Sequence, residues 1–425
     1  MRIKNDGESY IALAMYLLVF YLCLPFSMVI LNSLLIHAIV FLSAMLFIAG
    51  LMLNNKLKEL LKLSMLFMIL FFYWLITWSV QLQSLTFVYY CFASLVFIFG
   101  GMILYNCEDE MLIKRLFLFI TVLYFITAIT SIVGLSVYPY AARELARGAT
   151  YDINLDFDTY KSIYRRMNIA SWSQIYGMLF AIPVSLMIWK KKKRVFYLIV
   201  VIVISILLVA SQITFAVLLA ILMLALVFLT RENKTKTMVI TLILAIAAIL
   251  IIINLGSIFT YAVNISDKAG LDFLTTKLDD LKVLLLYRNV TGDAGERGLL
   301  YRRSLETFLQ SPLVGLTLVG KASLSKIGYH SEFFDFLGTF GLVGLFIIMG
   351  SVIGYAKFLN KTEKETRNDL YIVYIGFIIL FILNPVLNSP QIFVGAFLYP
   401  LLASRYCLMG EIKKDTICSN TATHS

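Results

Sequence analysis

The sequence has 425 residues, of which 60% are apolar and only 14% are charged, a charged fraction too low for an ordinary soluble protein. The net charge of +11 is compatible with nucleic-acid binding in principle. Most of the excess positive charge lies in short segments between long apolar runs, however, and this pattern indicates membrane lipid and excludes nucleic acid as the partner.

Apolar runs of about twenty residues recur along the whole chain, and each is long enough to cross ~30 Å of hydrocarbon. The first run lacks a small-residue cleavage site, so we interpret it as a retained helix. The run over 195–230 would be roughly 54 Å long as a single helix, and we therefore divide it at Ser211-Gln212. Twelve transmembrane helices are predicted, near 10–30, 34–53, 63–80, 86–105, 116–136, 169–189, 195–210, 213–230, 237–255, 336–356, 370–388 and 391–409.

The distribution of basic residues orients these helices. With the N-terminus inside, the predicted inner segments hold 22 of the 36 basic residues, and the four short outer turns hold none. The other 14 lie in two long outer loops, near 137–168 and 256–335, beside 13 acidic residues. The positive-inside rule therefore predicts cytoplasmic termini. The predicted organisation is helices one to nine over 1–255, the large outer loop over 256–335, helices ten to twelve over 336–409, and a cytoplasmic tail over 410–425.

The sequence predicts no metal site and no cofactor. The five cysteines avoid both long outer loops, and no cluster of cysteine and histidine has metal-ligand spacing. The stretch DINLDFD (152–158) is similar to a calcium loop, but Phe157 replaces the required glycine and Ile163 replaces the closing glutamate. We interpret it as a solvated acidic edge.

The second outer loop has about 80 residues, and a loop of this length in a compact protein is expected to form structure of its own. The stretch ERGLLYRRSLETFLQSP (296–312) predicts a helix that ends before Pro312, with Arg302 and Glu306 paired. Ser331 is expected to cap the tenth transmembrane helix, with His330 at its outer end. Leucines at helical spacing predict an earlier amphipathic helix, at Leu274, Leu278, Leu281 and Leu285.

Arginines and one histidine give this loop its candidate chemistry. Arginine suits bidentate recognition of phosphate, and a neutral histidine can accept a proton from a sugar hydroxyl. Together they fit a reaction on a lipid diphosphate. The residues alone leave a second interpretation open, in which His330 is a polar surface residue and the arginines are solvated or bind lipid headgroups.

The order of motifs in this region resembles the O-antigen polymerase and O-antigen ligase superfamily. The motifs are Arg297-x-x-x-Tyr301, SPLVG (311–315), GYHSEFF (328–334) and GTFGLVG (338–344). They cover about 50 residues, and the predicted helix number and long outer loop extend the resemblance to most of the chain. By this resemblance, Arg297 engages the lipid diphosphate and His330 positions or deprotonates the acceptor hydroxyl. Tyr301 stands where tryptophan is common.

The resemblance also implies a cation at the turn between helices seven and eight. Many members have Ser-Arg there, but this sequence has Ser211-Gln212, so the cationic contact is either missing or supplied by Arg165 or Arg166. Arg166 with Gly177 also has the Arg-x10-Gly spacing of some polymerases. The further diphosphate ligands predicted are Arg165, Arg166, Arg302 and Arg303, and the alternative bases are Glu332 and Asp335.

The activity implied by the resemblance is that of a polysaccharide polymerase in the bacterial inner membrane. A growing glycan on undecaprenyl diphosphate would be transferred to the non-reducing end of a lipid-linked repeat unit of O-antigen, capsule or exopolysaccharide. The implied partners are this lipid-linked oligosaccharide and a chain-length regulator protein. One alternative is the O-antigen ligase of the same superfamily, in which His-Asn is more common than the His330-Ser331 found here. The other is a lipid-linked glycan flippase or transporter, which the nearly uncharged helices and the lack of a repeat disfavour.

Overall fold

The computed structural model describes residues 6–31, 33–54, 85–151, 156–229, 255–287, 292–316, 327–387 and 389–409. Within these ranges the regular structure is helical. The helices are α1 (Asp6–Cys23), α2 (Ser27–Ile30), α3 (Ser33–Leu53), α4 (Leu85–Tyr105), α5 (Glu110–Val137), α6 (Ala141–Arg147), α7 (Phe157–Arg166), α8 (Trp172–Leu179), α9 (Ala181–Lys192), α10 (Val195–Ala210), α11 (Thr214–Leu229), α12 (Leu255–Lys268), α13 (Asp272–Tyr287), α14 (Gly292–Gln310), α15 (Glu332–Asn360), α16 (Lys364–Leu383), α17 (Pro390–Phe393), a π-helical segment (Val394–Leu398) and α18 (Tyr399–Leu408).

The helices have the length and composition of membrane spans. Within the described ranges, six helical segments are long and apolar enough to cross a membrane, and four shorter helices are also apolar. The predicted all-α membrane fold is therefore confirmed, and the chain is a multi-pass membrane protein. The predicted helix near 63–80, and the one near 237–255 apart from its last residue, lie outside the described residues. The number twelve stays a prediction.

The long apolar run near 195–230 is divided at the predicted place. Helix α10 ends before Ser211, whose Oγ donates to the Leu208 carbonyl at 2.8 Å. Gln212 has a φ of 54°, a left-handed conformation that is uncommon for residues other than glycine. These two polar residues reverse the chain between α10 and α11, so two spans form where one helix would be too long.

Two helical segments form the centre of the bundle. In Trp172–Lys192 and in Pro390–Leu408, 89% of the most apolar stretch of the helix is buried. In Leu34–Leu53 of α3, the buried fraction of the corresponding stretch is 22%. Glycines allow the central segments to approach closely, because a Cβ on Gly177 would lie 2.5 Å from the carbonyl oxygen of Gln391. Gly177 therefore has a packing role that its spacing from Arg166 did not indicate.

The first predicted outer loop, 137–168, contains the two short helices α6 and α7 in its described part. Asp156, from the acidic stretch, caps α7 by accepting hydrogen bonds from the Oγ1 and the backbone N–H of Thr159 at 2.6 and 3.1 Å. These bonds lower the pKa of Asp156. Asp156 is exposed, as expected for a solvated acidic edge, but its capping role was not predicted from the sequence.

The described connections between the membrane-spanning helices lie on two opposite faces of the bundle. On the first, which we name the loop face (24–31, 138–171, 211–213 and 384–389), the Phe26 N–H donates to Asn168 Oδ1 at 3.1 Å. On the second, the basic face (106–110, 190–194, 361–365 and 405–409), Lys191 pairs with Glu365 at 2.6 Å and Arg405 donates to the Cys107 carbonyl at 3.2 Å. The segment 327–332, at the start of α15, also belongs to the loop face, because Glu332 accepts the N–H groups of Val386 and Leu387. The candidate site is built around this segment.

Candidate functional site

Helix α14 packs against the first part of α15, and an aromatic pair joins them. The rings of Tyr301 and Phe334 stack with centroids 5.5 Å apart and planes at 23°. The Tyr301 hydroxyl also donates to the carbonyl oxygen of Leu383, the last residue of α16, at 3.2 Å. The aromatic residue of the Arg-x-x-x-Tyr motif thus connects α14 with two other helices.

A buried hydrogen-bond network lies beside this aromatic pair. Ser304 Oγ donates to Asp335 Oδ1 at 2.5 Å, and the Ser331 N–H donates to Asp335 Oδ2 at 3.0 Å. Ser304 Oγ in turn accepts the Gly328 N–H at 2.9 Å. Asp335 is only 8% exposed and Ser304 is fully buried. The network therefore provides a hydrogen-bond donor to each oxygen of a buried carboxylate, as buried polar groups require. The network fixes the segment 328–331 against α14.

Glu332 forms the next connection, toward the segment that follows α16. Its Oε2 accepts the backbone N–H groups of Val386 and Leu387 at 2.8 and 2.9 Å. Ser331 Oγ donates to the carbonyl oxygen of Ile382 at 2.5 Å. Both predicted alternative bases, Glu332 and Asp335, are therefore engaged in holding chain segments together.

His330 lies in the short segment that these contacts hold, and its side chain is exposed. The preceding Tyr329 has a φ of 59°, which is uncommon for a residue with a side chain and persists where the surroundings enforce it. Ser331 caps α15 by accepting the Phe334 N–H at 3.2 Å, which confirms the predicted cap. His330 is thus held at the N-terminal end of α15, on the surface of the loop face.

Three of the candidate arginines, Arg297, Arg302 and Arg303, lie on α14. Arg297 lies in the first half of α14, four residues before Tyr301 and seven before Ser304. Arg302 and Arg303 are exposed, and Arg302 Nε pairs with Glu306 Oε1 at 2.7 Å as predicted.

The other predicted cations lie on α7. Arg165 lines a cavity of about 260 Å³, together with Lys161, Ser171 and Gln174, while Arg166 is exposed. Lys161 was not selected from the sequence, although its position one helical turn before Arg165 is the signal that could have identified it. The candidate cations therefore form two groups, one on α14 and one on α7.

The turn between α10 and α11 contacts a cation, but a different one from those expected. In the described residues, Arg143 of α6 donates from Nη1 to the Gln212 carbonyl at 3.2 Å, where the resemblance implied Arg165 or Arg166. The position of α6 is fixed by Glu144, which accepts the Tyr164 hydroxyl and the Tyr151 N–H. Burial and the bond to Glu144 raise the pKa of Tyr164 above its ordinary value.

The described residues include no group of three or more histidine, cysteine, aspartate or glutamate side chains that could hold a metal ion. Among the described residues of the candidate site, the groups available for chemistry are arginines, Lys161 and the exposed His330. These groups can bind phosphate and accept a proton.

The fold and this site define a class of protein: an all-α, multi-pass membrane protein with a rigid polar cluster, bearing cations and a histidine, at one face. Residues 205–349, about a third of the chain, match a family model described as O-antigen ligase. The match runs from α10 to α15 and includes Ser211-Gln212, Arg297 and His330. It confirms the predicted resemblance to the O-antigen polymerase and ligase superfamily, whose members are glycosyltransferase-like membrane enzymes. A comparison with curated proteins gives no match.

Proposed function

We propose that the protein is a polysaccharide polymerase that extends a glycan on a lipid diphosphate. The observation that carries this proposal is the buried network of Ser304, Asp335 and Ser331, which holds exposed His330 beside the helix that contains Arg297. A site that joins two large substrates needs such fixed geometry, because positioned groups contribute most when they do not reorganise during the reaction. The family match supports glycosyl transfer as the reaction class.

The reaction forms one bond and breaks one bond at the anomeric carbon of the donor sugar. A hydroxyl oxygen at the non-reducing end of a lipid-linked repeat unit attacks this carbon, and the bond from the carbon to the diphosphate oxygen breaks. His330 accepts the hydroxyl proton. Undecaprenyl diphosphate leaves with the bonding electron pair, and its charge is stabilised by Arg297 with Arg302 and Arg303.

The α7 cations and the two carboxylates have supporting roles in this proposal. Arg165 and Arg166 contribute diphosphate contacts on the same face, with Lys161 beside them in the cavity. Asp335 and Glu332 act as positioning residues, since their described oxygens accept backbone and serine donors. This favours His330 over either carboxylate as the base.

The proposed location is the bacterial inner membrane, with the loop face extracytoplasmic and both termini cytoplasmic. Lipid-linked repeat units would then be joined on the outer side, where a chain-length regulator protein is a further expected partner. The excess of basic residues in the predicted inner segments supports this orientation.

The decisive experiment supplies purified protein with lipid-linked repeat units alone, without nucleotide sugars or metal. We expect a ladder of longer glycans from the wild-type chain, and loss of the ladder in Arg297→Ala and His330→Ala. Removing a group that stabilises the transition state typically lowers the rate by roughly 100-fold or more. Arg147→Ala is the matched control, because Arg147 lies on the loop face over the Tyr151 ring, outside the proposed site. Full activity in both site variants, with the protein inserted, would refute the assignment of these residues.

The second candidate is the O-antigen ligase activity, which the description of the matching family model favours. The same assay separates the two when lipid A core is offered as a second acceptor. Transfer of the glycan to lipid A core, without ladder formation, would replace the polymerase by the ligase. Movement of an intact repeat unit across a vesicle membrane, with no chain growth, would indicate a flippase.

A further inference from the structure

A separate polar cavity lies on the basic face, at the opposite ends of the helices from the proposed active site. It measures about 280 Å³ and lies between the first turn of α5, the end of α9, the residue before α10 and the end of α18. Its charged lining residues in the described part of the chain are Glu110, Lys114, Lys192 and Arg194. Three cations and one carboxylate give it a net positive charge.

One of the cations that line the cavity, Lys192, is held in place by a hydrogen bond. Lys192 is half-buried, and its Nζ donates to the carbonyl oxygen of Met409, the residue directly after α18, at 2.5 Å. The neighbouring lysines of the same run point to other partners: Lys191 pairs with Glu365, and Lys193 lies over the Trp189 ring. Lys192 therefore faces the cavity in a fixed position, while Lys114 and Arg194 line it with exposed side chains.

The surface beside the cavity is apolar and exposed. Met111, which lines the cavity, is 53% exposed, and Val195, directly after Arg194, is 63% exposed. A cationic cavity next to exposed apolar side chains at the end of membrane helices matches an amphiphile, with a charged group and a hydrocarbon chain side by side. A free anion would contact the cations of the cavity but not the apolar side chains beside it.

We propose that this cavity binds the phosphate headgroup of an anionic phospholipid, whose acyl chains lie along the side of Met111 and Val195. Cations at the membrane surface attract anionic headgroups, and basic pockets between helix ends are suited to hold them. The lipid would join α5, α9, α10 and α18 at the basic face. This site is independent of the proposed glycosyl transfer.

The test measures lipid retained by the full-length protein, using mass spectrometry of the intact protein released from detergent micelles. Phosphatidylglycerol and phosphatidylcholine with identical acyl chains are added in turn. We expect phosphatidylglycerol to be preferred, and the double variant Lys114→Gln/Arg194→Gln to bind it roughly tenfold or more weakly, since each cation near an anionic surface contributes about 1 kcal/mol. The double variant Lys357→Gln/Lys361→Gln is the control, because it removes two exposed cations outside the cavity and is expected to leave binding unchanged.

A third variant distinguishes loss of lipid binding at the cavity from loss of binding caused by misfolding. Glu110→Gln removes the acidic lining residue and is expected to tighten phosphatidylglycerol binding several-fold, a gain that an unfolded protein cannot give. Equal binding of the two lipids, or unchanged phosphatidylglycerol binding in the Lys114→Gln/Arg194→Gln variant, would overturn the proposal. Complete displacement of the lipid by millimolar inorganic phosphate would also overturn it, because the cavity would then be a site for a free anion.

Discussion

Asp335 illustrates how single residues decide the geometry of the candidate site. Its carboxylate joins Ser304 of α14 to Ser331 at the start of α15, although Ser304 and Asp335 are 31 positions apart in the chain. A buried acceptor that loses its donor carries the full cost of its desolvation. The interactions at Asp335 therefore couple the position of His330 to the packing of α14.

The substitution Asp335→Asn is expected to destabilise the protein and slow glycan transfer. The carboxylate of Asp335 has two acceptor oxygens, whereas the amide of asparagine has only one. The NH2 group of the amide would therefore replace the acceptor that faces either the Ser304 hydroxyl or the Ser331 N–H. We expect a loss of about 1–3 kcal/mol of stability. Thermal unfolding in detergent micelles and the rate of ladder formation are the two measurements.

Glu306→Gln provides the comparison for Asp335→Asn. Glu306 pairs with Arg302 on the exposed side of α14, where an ion pair contributes about 0–1 kcal/mol. A similar loss of stability in both variants would show that charge removal from this region, and not the buried network, determines the effect.

At the scale of elements, α15 is interrupted by a kink at Gly341, which has a φ of 63°. The kink gives the turn after α14 access to the helix backbone, since the N–H groups of Leu342 and Val343 donate to the carbonyls of Pro312 and Leu313 at 2.8 and 3.1 Å. The motifs SPLVG and GTFGLVG, separated in the sequence, therefore form one packed unit.

Gly341→Ala is expected to destabilise this unit. A Cβ there would lie 2.5 Å from the Leu313 carbonyl, and the left-handed backbone disfavours any side chain. We expect a loss on the order of 1–3 kcal/mol, measured as a lower unfolding temperature in micelles. Gly298→Ala in α14 is the matched control: no atom lies within 4 Å of an added Cβ, so alanine should be neutral or stabilising by roughly 0.5–1 kcal/mol.

At the scale of the whole molecule, the described connections between the membrane-spanning helices separate into the loop face and the basic face. The basic face contains Lys192, Lys191 and Arg405, each in contact with a second helix end or its flanking chain. The loop face contains His330 and the α7 cavity. This separation assigns the proposed reaction and the proposed phospholipid site to opposite sides of one membrane.

Cysteine labelling tests the proposed orientation of these faces. Gln310→Cys lies at the end of α14 and Lys193→Cys lies on the basic face, and both native side chains are exposed. A maleimide that does not cross membranes should label Gln310→Cys in intact cells and Lys193→Cys only after the membrane is opened. Both substitutions are made in a background in which Cys91 and Cys418 are replaced by serine, and this background serves as the blank, since Cys23, Cys107 and Cys407 are buried. The reverse labelling pattern would place the candidate active site in the cytoplasm and contradict the proposed function.

The features that could be predicted from the sequence depend on hydropathy or on neighbours in the chain. The division at Ser211-Gln212 follows from the length of an apolar run, and the Ser331 cap and the Arg302–Glu306 pair join residues three or four positions apart. The ordered motifs around Arg297 could also be predicted from the sequence, because a family pattern is itself a linear arrangement of residues.

Tertiary structure alone decided the contacts between distant segments. The bond from Ser304 to Asp335, the cation that Arg143 supplies to the α10–α11 turn, and the approach of Gly177 to Gln391 have no periodic signal in the sequence. Each depends on which helices pack together, and in a membrane most apolar faces of similar helices are compatible with many neighbours. The membrane spans were therefore encoded in hydropathy, whereas the candidate site was formed only when polar side chains from separate helices came together.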